Sequence, residues 1–134
     1  MPLYNTGKKL KTAVNSILKQ DFRDFELLLI DDGSTDPVTK KICEEYSRKD
    51  PRVKVFTKEN EGIEKTKVFG IHKAQGDYMV FSDHDDCYLP GAFSKLVSTI
   101  GKTDADIVAG NYYEQFLRFL PLRTRGFTID KPLT

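Results

Sequence analysis

Three aspartates within four positions, Asp83, Asp85 and Asp86, close the apolar run YMVFS at 78–82. A second acidic pair, Asp31 and Asp32, closes another apolar run, LLLI at 27–30. Carboxylates crowded beside apolar segments repel one another and lose hydration, so each cluster is either a solvated turn or the seat of a cation. Carboxylate oxygens suit the hard cations Mg²⁺ and Mn²⁺, which complete their shells with water and substrate phosphates. One such cluster alone reads as an acidic loop. Two on one edge of one fold point to a site for a metal and a phosphorylated ligand.

The elements that must carry these clusters follow from periodicity. Leu10, Ala13, Val14, Ile17 and Leu18 recur at helical spacing, with Thr6 as a candidate N-cap. FELLLID at 25–31 is apolar on both faces, as a strand buried between layers is. Asp36 followed by Pro37 opens a second helix with a stripe of Val38, Ile42, Cys43 and Tyr46. VKVF at 53–56 is a short strand and KENEG at 58–62 a polar loop. Ile63, Lys67, Gly70, Ile71 and Ala74 mark a third helix that carries a glycine inside it. YMVFS at 78–82 is a strand. A helix buried through Phe93, Leu96, Val97 and Ile100 follows, then a strand over DIVAGNYY at 106–113. From Glu114 onward periodicity fails and the chain reads as irregular.

Alternating strands and helices predict one α/β domain over 1–134, a three-layer open and mostly parallel sheet with helices on both faces. Ligands of such sheets sit beyond the carboxyl ends of the strands, where Asp31, Asp32, Asp83, Asp85 and Asp86 all fall. Period-two alternation puts Asp83 and Asp85 on one side and His84 on the other. His84 is then a solvent-facing or supporting side chain rather than a ligand. Tyr4 is either core or an aromatic platform for a nucleobase. Lys8, Lys9 and Lys11 form a solvated helix face.

Composition narrows the function. Lys plus Arg number 21 against 20 Asp plus Glu, a net charge of +1, with no basic run for nucleic acid. No apolar stretch is long enough to span a bilayer, and MPLYNTGKKL lacks the apolar core of a signal peptide. Cys43 and Cys87 fit no zinc spacing and are expected to be reduced thiols of a cytoplasmic protein. The phosphate-binding pattern GxxxxGK[ST] is absent, which excludes a P-loop NTPase. A phosphoacceptor receiver domain would share a strand-end acidic pair. It would carry that pair on its first strand and a lysine at a later strand end, where this chain has VAGNYY.

PLYN (2–5), NSILKQDFRDFELLLIDDGSTD (15–36), ENEG (59–62), QGDYMVFSDHDD (75–86) and LPGAFSKLV (89–97) occur in that order. In this the chain resembles the family 2 glycosyltransferases from Pro2 to Tyr113. The resemblance implies a GT-A fold, a nucleotide-sugar donor (a UDP-sugar by the family's habit), and inverting transfer to a glycan or lipid-linked acceptor. It implies Mn²⁺ or Mg²⁺ as cofactor and a place in cell-envelope polysaccharide synthesis, in the cytoplasm or at the inner face of the membrane. Carried over by position, Tyr4 lies against the base and Asp32 accepts from the base's ring N–H. Lys67 stands where an arginine near the nucleotide is common. Asp83-His84-Asp85 is the DxD motif, with Asp83 facing ribose and metal-bound phosphates and Asp85 the metal ligand. Asp86 orients donor or acceptor.

Some features depart from the family's pattern. Thr66-Lys67-Val68 replaces an Ala-Arg-Asn-like segment, and only Met1 precedes Pro2 where an apolar first strand is usual. The family's catalytic base lies downstream of DxD, and no matching acidic motif follows Asp86 here. The expectation is therefore the nucleotide-binding part of a longer enzyme, 1–113, with a tail over 114–134. The alternative is a sugar-nucleotide binder without transfer activity.

Overall fold

The computed structural model describes residues 1–103, 105–110, 112–114 and 123–125. Two compact units divide the chain, Met1–Gly91 and Ala92–Thr134. In the first, β1 (Pro2–Leu3), β2 (Leu27–Asp32) and β3 (Val53–Lys58) form a parallel sheet in that order. Pro2 pairs with Ile30, and β2 pairs with β3 along its whole length, from Leu27 opposite Val53 to Asp32 opposite Lys58. Parallel strands need crossover helices, and α1 (Leu10–Leu18) and α2 (Pro37–Lys49) supply them, while α3 (Ile63–Lys73) follows β3.

Both faces of β2 are covered, which is why its first four residues, Leu27 to Ile30, are all apolar. On one face Asp31 lies close enough to Cys43 of α2 for its charge to be felt. On the other, α3 approaches so closely that a Cβ added at Gly70 would lie 2.7 Å from Ile30 Cδ1. The glycine that reads as a flaw inside the helix is what lets α3 sit on the sheet. Leu10, Ala13, Val14 and Ile17 of α1 join Leu3, Leu29 and Ile42 in the core. Burying each of the larger aliphatic side chains contributes roughly 1.5–3 kcal/mol.

The ends of α2 follow the sequence reading. Asp36 accepts from the N–H groups of Val38 and Thr39, and Pro37 takes the first helical position, where no N–H is needed. Its buried stripe differs from expectation: Thr39 replaces Val38, which is exposed, and Tyr46 is only half-buried. The Thr39 hydroxyl donates to Asp36 and accepts the Gly7 N–H, so a polar contact holds this position. Thr6 does not cap α1; a 3₁₀ turn, Gly7–Lys9, leads into the helix, and Thr6 has helical backbone angles. In α3, Thr66 is the buried residue and Ile63 and Ile71 are exposed.

Residues 78–82, read as a strand, belong to no strand in the structure, and Tyr78, Met79, Val80 and Phe81 are exposed. A strand needs a ladder partner. The outer edge of β1 offers only Leu3 and Pro2, which has no N–H, too short a template for five residues. The chain is tied to α1 only further on: the Ser16 hydroxyl accepts the Tyr88 N–H, and the buried Gln20 amide donates to the Leu89 carbonyl.

In the second unit, α4 (Ala92–Ile100) shows the expected face, but Phe93, Leu96, Val97 and Ile100 are half-buried rather than core. Strand character over 106–113 is confined to its end. There β4 (Tyr112–Glu114) pairs antiparallel with β5 (Arg123–Arg125), a strand inside the segment read as irregular. The remainder of 114–134 lies outside the described residues.

Candidate functional site

The carboxyl ends of β1 and β2 deliver Tyr4 and Asp32 to the same edge. Tyr4 stands on a turn fixed by Asn5, the described non-glycine residue with a positive φ, +51°. Asn5 Oδ1 accepts from the N–H groups of Thr35 and Asp36, each at 2.9 Å, and its own N–H donates to Ser34 Oγ at 2.9 Å. Asn tolerates this left-handed backbone, and its amide replaces the ladder that β1 lacks beyond Leu3. The ring of Tyr4 is left 52% exposed, free to meet a flat ligand.

Asp32 is 4% exposed and heavily hydrogen-bonded. Its Oδ1 accepts from Lys58 Nζ at 2.6 Å and from the Glu61 N–H at 3.0 Å, and its Oδ2 from the Gly62 N–H at 2.9 Å. Burial works to raise its pKa, but the Lys58 ammonium and the backbone donors outweigh it and hold it at about 2. Asp32 is therefore an acceptor only. Its neighbour Asp31 points the other way and accepts the Ser34 N–H, which closes the DDGS turn.

Gly33 makes this arrangement possible. Its φ is +73°, and a Cβ there would lie 2.9 Å from the Asn60 backbone nitrogen. Gly33→Ala is expected to destabilise the fold by roughly 2 kcal/mol or more, through left-handed strain plus a clash that backbone cannot relieve. Urea unfolding of the two proteins measures it; a change under 0.5 kcal/mol would show that the 59–62 loop moves aside freely.

A pocket of about 120 Å³ is lined by Pro2, Leu3, Tyr4, Asp32, Ile63, Thr66 and His84. It brings Asp32 of the first cluster together with His84 from the turn of the second, which alternation did not anticipate. Residues 84–85 form a turn closed by the Asp86 N–H on the Asp83 carbonyl at 3.3 Å. That turn sends His84 to the pocket beside Asp32, where the strand reading put it opposite. Asp83 is half-exposed and pairs with Lys67 of α3 at 3.6 Å. Lys67 also lies 5.8 Å from the Phe81 ring centre. Asp85 and Asp86 are exposed. Partial burial first, then the charges of Asp85 and Asp83, push the Asp86 pKa up, so the mutual repulsion inferred for this cluster is felt in the fold.

The donor set fits a hard divalent cation that arrives with a phosphorylated ligand. Asp83, Asp85 and Asp86 offer carboxylate oxygens on one open turn and repel one another when nothing lies between them. Among the described residues no three His, Cys, Asp or Glu side chains converge into a cage, so phosphate oxygens would have to share the coordination.

Four residues that shape the site carried no signal of their own in the sequence: Lys58, Thr66, Ser16 and Gln20. The Thr66 hydroxyl donates to the Gly62 carbonyl and anchors the 59–62 loop to α3. The cysteines take no part. Both are free; burial, reinforced by Asp31, pushes the Cys43 thiol up to about 12, and Cys87 is exposed.

The chain is similar to known proteins in sequence and in fold. The family model described as Glycosyl transferase family 2 matches residues 1–129. Glycosyltransferase GlyG of Streptococcus pneumoniae is 41% identical over 114 residues, which cover 84% of this chain and 38% of GlyG. The chain thus spans well under half of that relative's length. Among solved structures, S. aureus TarS 1-349 in complex with UDP superposes with a TM-score of 0.69 at 32% identity, over 75% of this chain and 30% of that one. The same protein in complex with UDP-GlcNAc gives 0.65 at 33% identity.

Proposed function

Because the chain belongs to glycosyl transferase family 2 and has its GT-A fold, we propose that it forms the donor-nucleotide half of a sugar transferase that uses a UDP-sugar. The observation that carries this reading is the convergence of Tyr4, Asp32, Thr66 and His84 on one pocket at the carboxyl edge of the parallel sheet. UDP and UDP-GlcNAc complexes of a neighbour with 32–33% identity support the choice of nucleotide.

Each side chain has a task in this reading. Tyr4 offers a ring face for the base. Asp32, fixed and ionised, accepts from the base's ring N–H. Lys67 lies between the nucleotide and the DxD turn and screens phosphate charge. Asp83 and Asp85 would hold Mn²⁺ or Mg²⁺, and Asp86 orients the sugar or the acceptor. The bound cation would supply Lewis-acid stabilisation of the departing diphosphate. The whole protein then moves the sugar to a glycan or lipid-linked hydroxyl with inversion, assisted by a carboxylate base.

The test is calorimetric titration of UDP in the presence of Mn²⁺. Saturable binding is expected, and Tyr4→Ala should weaken it by about five- to tenfold, the low end of what base–aromatic stacking contributes, since the ring is half-exposed. An absence of UDP binding in the wild type would remove the reading. UDP binding with no donor turnover would instead favour the non-transferring binder.

A further inference from the structure

We infer that Lys58 is a positioning residue for nucleobase selection: by holding Asp32 it sets the site to take bases that present a ring N–H. This rests on the donor-site reading above and adds to it a residue and a selectivity.

Lys58 closes β3 directly opposite Asp32 in the ladder. Its side chain is 11% exposed. Its ammonium reaches Asp32 Oδ1 at 2.6 Å, the Glu59 carbonyl at 2.6 Å and Glu61 Oε2 at 2.9 Å. An ammonium has three N–H donors, and all three are committed within the protein. Lys58 therefore has no proton left for a ligand phosphate, which separates it from a phosphate-binding lysine. What it does is local: it saturates Oδ1 together with the Glu61 N–H and draws the 59–62 loop onto the end of β2.

The consequence falls on the other oxygen. Oδ2 accepts from the Gly62 N–H, the Thr66 hydroxyl also bears on the carboxylate, and what remains of the Asp32 surface lines the pocket. With the carboxylate plane fixed at Oδ1, that remaining surface has one direction. Uracil presents a ring N–H there. Cytosine presents a ring nitrogen with a lone pair instead, which a carboxylate repels. A carboxylate free to rotate would lose much of this discrimination, because its acceptor would no longer be held toward the base.

The experiment is titration of UDP and CDP, with Mn²⁺ present, into wild type, Lys58→Met and Lys58→Arg. The two nucleotides share sugar, diphosphate and cation, so their affinity ratio reports the base alone. Wild type is expected to favour UDP by at least tenfold. Lys58→Met should bring the ratio to within about threefold of unity while CDP affinity stays within threefold of wild type. Lys58→Arg, which keeps the cation, should retain the preference for UDP. Should Lys58→Met fail to show a cooperative melt, Lys58→Gln replaces it with the same expected ratio.

An unchanged ratio in Lys58→Met, or an equal loss of both nucleotides, overturns the inference; the second result is what a purely structural role produces. Wild type binding UDP and CDP alike also overturns it, and leaves the nucleotide site standing. Wild type binding neither overturns the donor-site reading and this inference with it.

Discussion

UDP binding is expected to fall by about a hundredfold or more when divalent cations are removed with EDTA. The reason is the charge already present on the turn at 83–86. Three carboxylates lie there, and partial burial, then the charges of Asp85 and Asp83, push up the Asp86 pKa. A diphosphate adds further negative charge. At about 4 Å and an effective dielectric near 20, each like-charge pair costs about 4 kcal/mol before solvent and salt reduce it. Lys67 is the cation paired with this turn, and at 3.6 Å it is engaged by Asp83. One ammonium cannot offset three carboxylates and a diphosphate, whereas a divalent ion shared between the two parties turns repulsion into attraction. A hundredfold change is about 2.7 kcal/mol, well within that range. Calorimetry of UDP with Mn²⁺ and with EDTA measures it. Asp85→Ala should make the two affinities equal. His84→Ala should keep most of the difference, because His84 faces the pocket with Tyr4 and Asp32. Equal affinities in the wild type would sink the metal assignment.

The parts of this site that were legible in the sequence are those where a local rule and the topology agree. LLLIDD is apolar on alternate and intervening positions alike, and β2 is indeed covered on both faces with its acids at the carboxyl end. Asp36-Pro37 starts a helix whatever surrounds it. What the sequence concealed depends on partners distant along the chain. YMVFS has every local property of a strand, yet a strand exists only through its neighbour, and β1 provides two residues of edge. His84 was placed by period-two alternation, and once the strand fails the alternation no longer applies. Lys58 sits in a polar loop-like run, KENEG, where a charged residue reads as solvated. Only the ladder, which sets it opposite Asp32, shows that it is 11% exposed and paired. Gly70 was legible as a residue and not as a reason: its meaning is the 2.7 Å approach to Ile30.

Asp32→Ala is expected to destabilise the fold by about 2–4 kcal/mol, whatever it does to binding. The carboxylate accepts from the Lys58 ammonium and from the N–H groups of Glu61 and Gly62. Removing it leaves two backbone donors without their acceptor and Lys58 without its strand-end partner. The effect stops short of that for an isolated buried charge, since Lys58 keeps Glu61 Oε2 at 2.9 Å and the Glu59 carbonyl at 2.6 Å. Urea unfolding at neutral pH measures the loss. Lys58→Met in the same chain should recover part of it, so the double variant should lose less than the two singles added together. Acid provides an independent check with a defined sign. The folded pKa of Asp32, about 2, lies below its ordinary value of 3.8. Its ionised form therefore stabilises the protein fully above pH 3.8, and that contribution disappears as pH falls through 2. A shift of this size corresponds to about 2–2.5 kcal/mol, with roughly half of it gone at pH 3. Asp36 and Asp50 also have lowered pKa values, so wild type will lose stability in acid through several groups. The expected result is a difference: between pH 6 and pH 3, Asp32→Ala should lose about 1 kcal/mol less than wild type. Parallel loss in the two proteins would mean that Asp32 is not held by Lys58 in solution, and would undo the account of the site's most tightly bonded carboxylate.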